Sequence, residues 1–461
     1  MRRIVKRCGF TLAALAVGYA VLAQFGFLHN GVAGAAGRPA RISSADRLVA
    51  QGRNVFRNDT FGDQAVWGGV LGLHKAIEGA KLGGVGPGVS PKTALALGLK
   101  VDATKIPAKV AAAIKAGKVN LGDPAVTVTL LKLNAVVGVK GYFTKNGTLS
   151  SLGITCALCH STVDNSFAPG IGKRLDGWPN QDLNVGAIVA AAPNLKPLQD
   201  ALGVDEATVK KVLNGWGPGF FNAELNLDGK AVGPDGTPKS AATRIPSAFG
   251  KDGQNLHTWE GGWGSVTYWN AFVANLEMHG MGNFMDARLD DKAKFPIAAA
   301  AGFGHTHPYV GEGVLAVPPK AQGRDVITDA LRALDFYQHA LPVPRPPRGS
   351  FDPAAAKRGD AVFNGAGKCS SCHMGSLGSA PGYNAVKPSQ ICIDAFAANR
   401  GPDGTYTIAP LQALFTRSKR GFYHDGRFKT LLDVVNHYDT CMNLHLSAQQ
   451  KSDLVQYLKS R

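Results

Sequence analysis

The chain has 461 residues, 45% of them hydrophobic and 18% charged, with a formal net charge of +17. That composition supplies ordinary apolar cores for two or three domains and excludes a disordered or fibrous chain. The basic residues are scattered and no nucleic-acid motif occurs, so no nucleic-acid partner is expected; an acidic redox partner, an anionic membrane surface or a merely basic soluble surface all fit the charge.

In chain order, Arg2, Arg3, Lys6 and Arg7 form a basic head, residues 8–28 are nearly all apolar, and Ala33-Gly34-Ala35-Ala36 supplies small residues suited to cleavage. Residues 1–36 therefore read as a secretory signal, with an uncleaved N-terminal membrane anchor as the alternative. Either reading places the protein in the periplasm. Residues 37–340 are expected to form one enlarged domain. Helical spacing predicts short helices over 91–97 and 107–116, and the β-branched run predicts a strand over 126–131. Apolar spacing at Val326, Ala330, Leu334 and Tyr337 predicts a helix over 325–340. Four prolines make 341–349 an extended linker. A final domain over 350–461 closes with a helix over 447–459, begun by the Ser447 cap.

Two pentapeptides dominate the chemistry: Cys156-Ala157-Leu158-Cys159-His160 and Cys369-Ser370-Ser371-Cys372-His373. Each puts two thiols and an imidazole on about one turn of chain. The thiols can add to the two vinyl groups of a haem, and the histidine can bind its iron from one face. A zinc site would need further Cys or His ligands nearby, and a thiol–disulfide motif has no reason to carry His next, twice. Cys156, Cys159, His160, Cys369, Cys372 and His373 are thus expected to hold two covalently attached c-type haems, with His160 and His373 on iron. Of seven cysteines, four lie in the motifs and Cys8 in the apolar head. Cys392 and Cys441 remain, as a disulfide tying the loop around Cys392 to the last helix or as two buried thiols. A weak duplication accompanies the motifs. The segment 356–364 stands just before the second, and the similar 49–57 stands about a hundred residues before the first, so 61–150 looks inserted. Within it, His74 is a minor candidate ligand.

The last hundred residues resemble the bacterial di-haem cytochrome c peroxidase superfamily, including its tryptophylquinone-maturing branch and the oxygenases that cleave polyisoprene. The resemblance rests on Gly421-Phe-Tyr423-His424-Asp425-Gly426-Arg427, on Ala409-Pro410-Leu411 ahead of it, and on the closing helix. It implies a mainly α fold with two cytochrome c-like domains, the N-terminal one enlarged by insertions. The residue before His-Asp-Gly is often a methionine on the iron; here it is Tyr423, and a tyrosine ligates the corresponding iron in the tryptophylquinone-maturing branch. A hard anionic ligand there would lower the potential relative to Met/His ligation. Met442 and His445 are the alternatives, and Arg427 is a candidate for a haem propionate. In the first half, Arg244-Ile245-Pro246 mirrors the segment before the turn, and Thr258-Trp259-Glu260-Gly261 mirrors the turn itself. Thr258, a poor iron ligand, falls where Tyr423 falls. Asn275-Leu276-Glu277-Met278 resembles the string whose glutamate sits over the family's open haem. Peroxide cleavage needs a group that takes a proton from one oxygen and returns it to the other, and a carboxyl in an apolar pocket suits that task. Glu277 is the candidate, with His279 or His257 assisting. Met278 or Met281 on the iron would instead make a carrier haem, and with both haems six-coordinate the protein would be a non-catalytic electron carrier. The implied co-reactants are peroxide or dioxygen and a redox protein or organic electron donor. The family often binds calcium between domains, for which Asn226, Asp228 and Asp235 supply oxygen atoms.

Overall fold

The computed structural model describes residues 43–251, 253–306, 325–380, 382 and 384–461. The expected export segment 1–36 lies outside them. Among the described residues no helix is long and apolar enough to cross a membrane. The fold is mainly α, with 45% of residues helical and six two-stranded ribbons.

Two helix pairs repeat one packing device. The Ser44–Asn58 helix packs on Thr328–His339, and the Pro353–Asn364 helix packs on Ala448–Lys459. Each pair crosses at a glycine. A Cβ on Gly52 would lie 1.9 Å from the Ala333 carbonyl oxygen, and one on Gly359 would lie 2.0 Å from that of Asp453. Four residues on, hence on the same helix face, Phe56 meets Tyr337 with ring centroids 5.5 Å apart, and Phe363 meets Tyr457 at 4.9 Å. The turns that follow match as well. Thr258 and Tyr423 sit at φ +72° and +70°, and three residues later Gly261 and Gly426 are also left-handed. That backbone is unfavourable for Thr and Tyr, so the surrounding structure must hold it in place. The two turns are cross-braced: Arg244 N donates to His424 O (2.7 Å), and Thr407 N donates to Trp259 O (2.9 Å). Residues Ser44–Arg461 accordingly gather into one compact unit.

The expected helices appear as Pro91–Ala96, Ala108–Lys115, Thr328–His339 and Ala448–Lys459, the last with Ser447 accepting from Gln450 N. Asp325 lies outside the helix expected over 325–340 and accepts from the Ile327 and Thr328 N–H groups at its start. The strand expected over 126–131 is instead helical, within Pro124–Lys132. Asp123 caps it through Ala125 N, Pro124 occupies its first turn, and Thr127, Leu130 and Leu131 form one buried stripe. Cap and stripe outweigh the β-branched composition. The strands of this region are Val139–Phe143 and Leu149–Ile154, paired antiparallel.

Cys392 and Cys441 are bonded, with Cα atoms 5.9 Å apart. The bridge ties its loop to the end of the Leu431–Cys441 helix, rather than to the last helix as expected.

Because both crossings depend on backbone contact at glycine, Gly52→Ala and Gly359→Ala should each lower unfolding stability by about 1–3 kcal/mol. Urea titration followed by far-UV circular dichroism checks this; a helix control such as Lys357→Ala should change little.

Candidate functional site

Both pentapeptides form a short helical turn, Ala157–His160 and Cys369–Ser371. His160 Nδ1 lies 3.0 Å from Pro246 O, and His373 Nδ1 lies 2.8 Å from Gly378 O. A carbonyl only accepts, so Nδ1 must carry the proton and Nε2 presents its lone pair. That tautomer is the one a metal-binding imidazole needs. Burial holds both rings neutral: it lowers His160 to about 4, and it lowers His373 against the backbone carbonyls of Gly378 and Ala409.

All four motif cysteines are unbonded and half-buried. Yet burial pushes the Cys156 and Cys159 thiols up to about 12 and Cys369 to about 11. Side chains that keep accessible surface while so desolvated face interior space. Around the second motif that space is a cavity of about 1350 Å³ counted out to its mouth, lined by Cys369, Cys372, His373, Tyr423, Tyr438, Met442 and a mainly aliphatic wall. Paired thiols, an imidazole with a free lone pair and an apolar lining fit a covalently bound porphyrin. His445 is not among the lining residues, and Met442 is. Tyr423 Oη is buried with no hydrogen-bond partner; Tyr438 is a neighbouring phenol, ring centroids 6.2 Å away. Burial raises the Tyr423 pKa far above the ordinary phenol range, and Tyr438 adds to the shift. A phenolate at this position therefore needs a cation against its oxygen. Arg427 is already engaged by Asp425 at 2.8 Å and by Asp394, so it is not free for a propionate. Asp425 braces the turn by accepting from Arg427 N, and His424 stacks on Tyr406 at 4.9 Å.

Near the first motif, the Val266–Phe272 helix widens into a π-turn, Val273–Glu277. Such turns re-aim side chains and recur at functional sites. Trp67, from a second π-turn (Ala65–Val70), donates its indole N–H to Met278 O at 3.0 Å, and its ring lies 5.9 Å from that of His279. Nothing local in the chain signals this lock, because it joins residues 211 apart. Glu277 Oε1 is buried without a partner. Burial raises the Glu277 pKa well above the ordinary range, reinforced by the charge of Glu224. Glu277 in turn raises the Cys159 thiol, which places the two groups within electrostatic reach. His279 is buried and lowered to about 4. His257 lines a different, smaller pocket with Lys251 and Trp259, so it does not join Glu277 there. Met278 is core, and His74 Nδ1 is buried without a partner. Trp259 lines this smaller pocket and the large cavity alike.

Of the oxygen atoms offered for calcium, Asn226 Oδ1 is buried without a hydrogen-bond partner, and those of the two aspartates are employed. Asp228 holds Arg400 through two bonds of 2.7 and 2.8 Å, and Asp235 caps its own exposed turn through Thr237. Among the described residues no group of three His, Cys, Asp or Glu is placed to hold a metal ion.

No family model matches the chain, and no curated protein matches it. Among solved structures, a Kuenenia stuttgartiensis hydrazine synthase pressurized with 20 bar xenon aligns at 17% identity, over 48% of this chain and 72% of that one, with a TM-score of 0.26. A likeness that distant carries no argument.

The raised Glu277 carboxyl has a consequence for stability. The folded state favours its protonated form, so its contribution is full below the ordinary carboxylate range and is lost as pH rises through the raised value. Each pH unit of that window is worth about 1.4 kcal/mol. Glu277→Gln should therefore melt higher than wild type at pH 8 and show little or no gain at pH 4, by differential scanning calorimetry.

Proposed function

We propose that the chain is a periplasmic di-haem c-type oxidoreductase of the peroxidase kind, built from two cytochrome c-like domains. The observation that carries the reading is the repeated pentapeptide whose histidine, in both copies, is fixed through Nδ1 with Nε2 left open. The matching glycine crossings and left-handed turns support two related haem domains.

In this reading the haems supply electrons and a Lewis-acidic iron, and the chain decides what each site can do. At the first site Thr258 stands where the second copy has Tyr423 and offers no strong ligand. Glu277, buried with Oε1 unpartnered and its pKa raised, would as the carboxylate take a proton from one oxygen of a peroxide and, as the acid so formed, return it to the other. His279, neutral and packed beside Trp67, shapes the same wall. At the second site the Tyr423 oxygen faces the cavity of Cys369, Cys372 and His373, and phenolate binding there would favour the ferric state. Trp259, on the wall of the large cavity and in the first half's turn, would be an aromatic group for passing electrons toward the second haem. Electrons enter from a redox protein or an organic donor.

Three measurements on the exported full-length protein test this. Intact mass should show two covalently added porphyrins; none would end the reading. The ferric protein should show a high-spin signal sensitive to cyanide, and Glu277→Gln should keep its haems while peroxide turnover falls about 100-fold or more. Two cyanide-indifferent low-spin haems would leave an electron carrier without catalysis. Tyr423→Phe should alter the low-spin spectrum of the second haem, and an unchanged spectrum removes Tyr423 from the iron.

A further inference from the structure

Among the described residues the buried lysine and arginine side chains are Lys100, Arg244, Arg400 and Arg417. Lys100 and Arg400 are matched by carboxylates, Asp182 at 2.8 Å and Asp228 at 2.7 Å. Arg244 and Arg417 are not. Arg417, 7% exposed, donates through Nη2 to the carbonyls of Pro410 and Gln412, and its Nε has no partner. Arg244, 3% exposed, donates through Nη2 to Arg417 O and to Gln181 Oε1 at 3.4 Å, and its Nε has none either. Burial lowers Arg417 to about 10 with no charge opposing it. Burial lowers Arg244 to about 9, and the like charge of Arg417 adds to the shift. Asp425 is the one acid acting on Arg244, and Arg427 already holds it at 2.8 Å.

Both side chains stand on the lining of the large cavity, together with Cys369, Cys372 and His373, and no Asp or Glu shares that lining. They reach it from different halves. Arg417 belongs to the Leu414–Arg420 turn of the second half. Arg244 comes from the first half, and its backbone is fixed on both sides. Its N donates to His424 O at 2.7 Å, and Trp259 Nε1 donates to its O at 2.9 Å. Two neighbouring guanidiniums withdrawn from water are costly unless an anion joins them. Guanidinium N–H groups suit a carboxylate. A porphyrin joined to Cys369 and Cys372 through its vinyl groups carries two propionate carboxylates on the opposite edge.

We infer that Arg244 and Arg417 receive the propionates of the haem on Cys369 and Cys372, so that the first half supplies a counter-charge to the second haem. The inference rests on the haem reading above and involves the second haem alone. A haem seated this way is gripped by both halves: thioethers and His373 from one, the Arg244 guanidinium from the other.

Full-length protein carrying haem isotope-labelled at the propionate carboxyls tests this. Infrared difference spectra of labelled against unlabelled protein isolate the propionate stretches. Arg244→Gln and Arg417→Gln should each shift the carboxylate stretch of one haem, with intact mass still showing two. Stretches that neither substitution moves overturn the inference while leaving the haem reading intact. Melting supplies an independent measurement. Each substitution also removes hydrogen bonds of the fold, so its cost is compared with that in a Cys369→Ala/Cys372→Ala background, which lacks the second haem. The cost should be greater with the haem attached, because a buried propionate is then stranded; equal costs in the two backgrounds overturn the inference. Should that background fail to fold, the infrared shift decides alone, and should one arginine variant fail to fold, the other decides. Replacing chloride by a bulky sulfonate should leave wild-type melting unchanged; a dependence on the small anion assigns the two arginines to a solution ion and overturns the inference. Wild type lacking covalent haem by mass would sink the underlying reading itself.

Discussion

The bond from a histidine Nδ1 to a backbone carbonyl is the constraint on which the rest of the molecule turns. It fixes the tautomer, and so the direction of the open Nε2. For His160 the acceptor is Pro246 O, and Pro246 belongs to the strand-like segment whose Arg244 N is held by His424 O in the other half. The first imidazole is thus oriented by a segment that the second half braces. The return bond, Thr407 N to Trp259 O, lies two residues before Ala409, whose carbonyl acts on His373. Neither half can present its histidine correctly without the other, which accounts for one compact unit where the chain repeats itself.

On this shared frame the two halves diverge at the positions that matter chemically. Tyr423 and Thr258 occupy equivalent left-handed positions with different capacities: a phenol on the lining of the large cavity, and a short hydroxyl on the lining of the smaller pocket. Asp425 and Glu260 diverge likewise. Asp425 stays below the ordinary carboxylate range beside Arg427 despite its burial, while Glu260 is raised well above it by burial and by Glu224. The second half is braced by ionic pairs and a disulfide. The first keeps neutral carboxyls in apolar surroundings, the state in which an acid can give up and recover a proton. The two halves share a backbone frame, and local desolvation sets their carboxyls apart.

How legible this was depends on distance along the chain. The pentapeptides, the capped helices and the glycine-bearing helix strings were readable because each is local and periodic. The 126–131 segment misled because four β-branched residues in a row hide a helix whose decisive signals, Asp123 and Pro124, stand just before it. Reading 61–150 as an insertion gave no hint that Trp67 would reach Met278, next to the buried Glu277. The unmatched cations were hidden for the same reason. Arg244 and Arg417 look like two of 50 scattered basic residues, and only the fold shows that both are buried on the lining of the large cavity with Nε unpartnered. Arg427, which sits in the recognisable turn, drew attention and proved to be spoken for.

One buried ion pair locks the halves together. Arg400 from the second half and Asp228 from the first form a fully buried pair, and Arg400 also donates to Ala241 O at 2.8 Å. A pair of this kind adds little to stability against an apolar replacement, but breaking it costs about 3–5 kcal/mol because it strands a charge. It therefore acts on specificity: the halves may meet in one register or not at all. Apolar packing alone would tolerate sliding, and sliding would change the separation of the two cavities that share Trp259 and Arg417. A register fixed by buried charge, with turns cross-braced through the backbone, holds the two halves at one constant spacing.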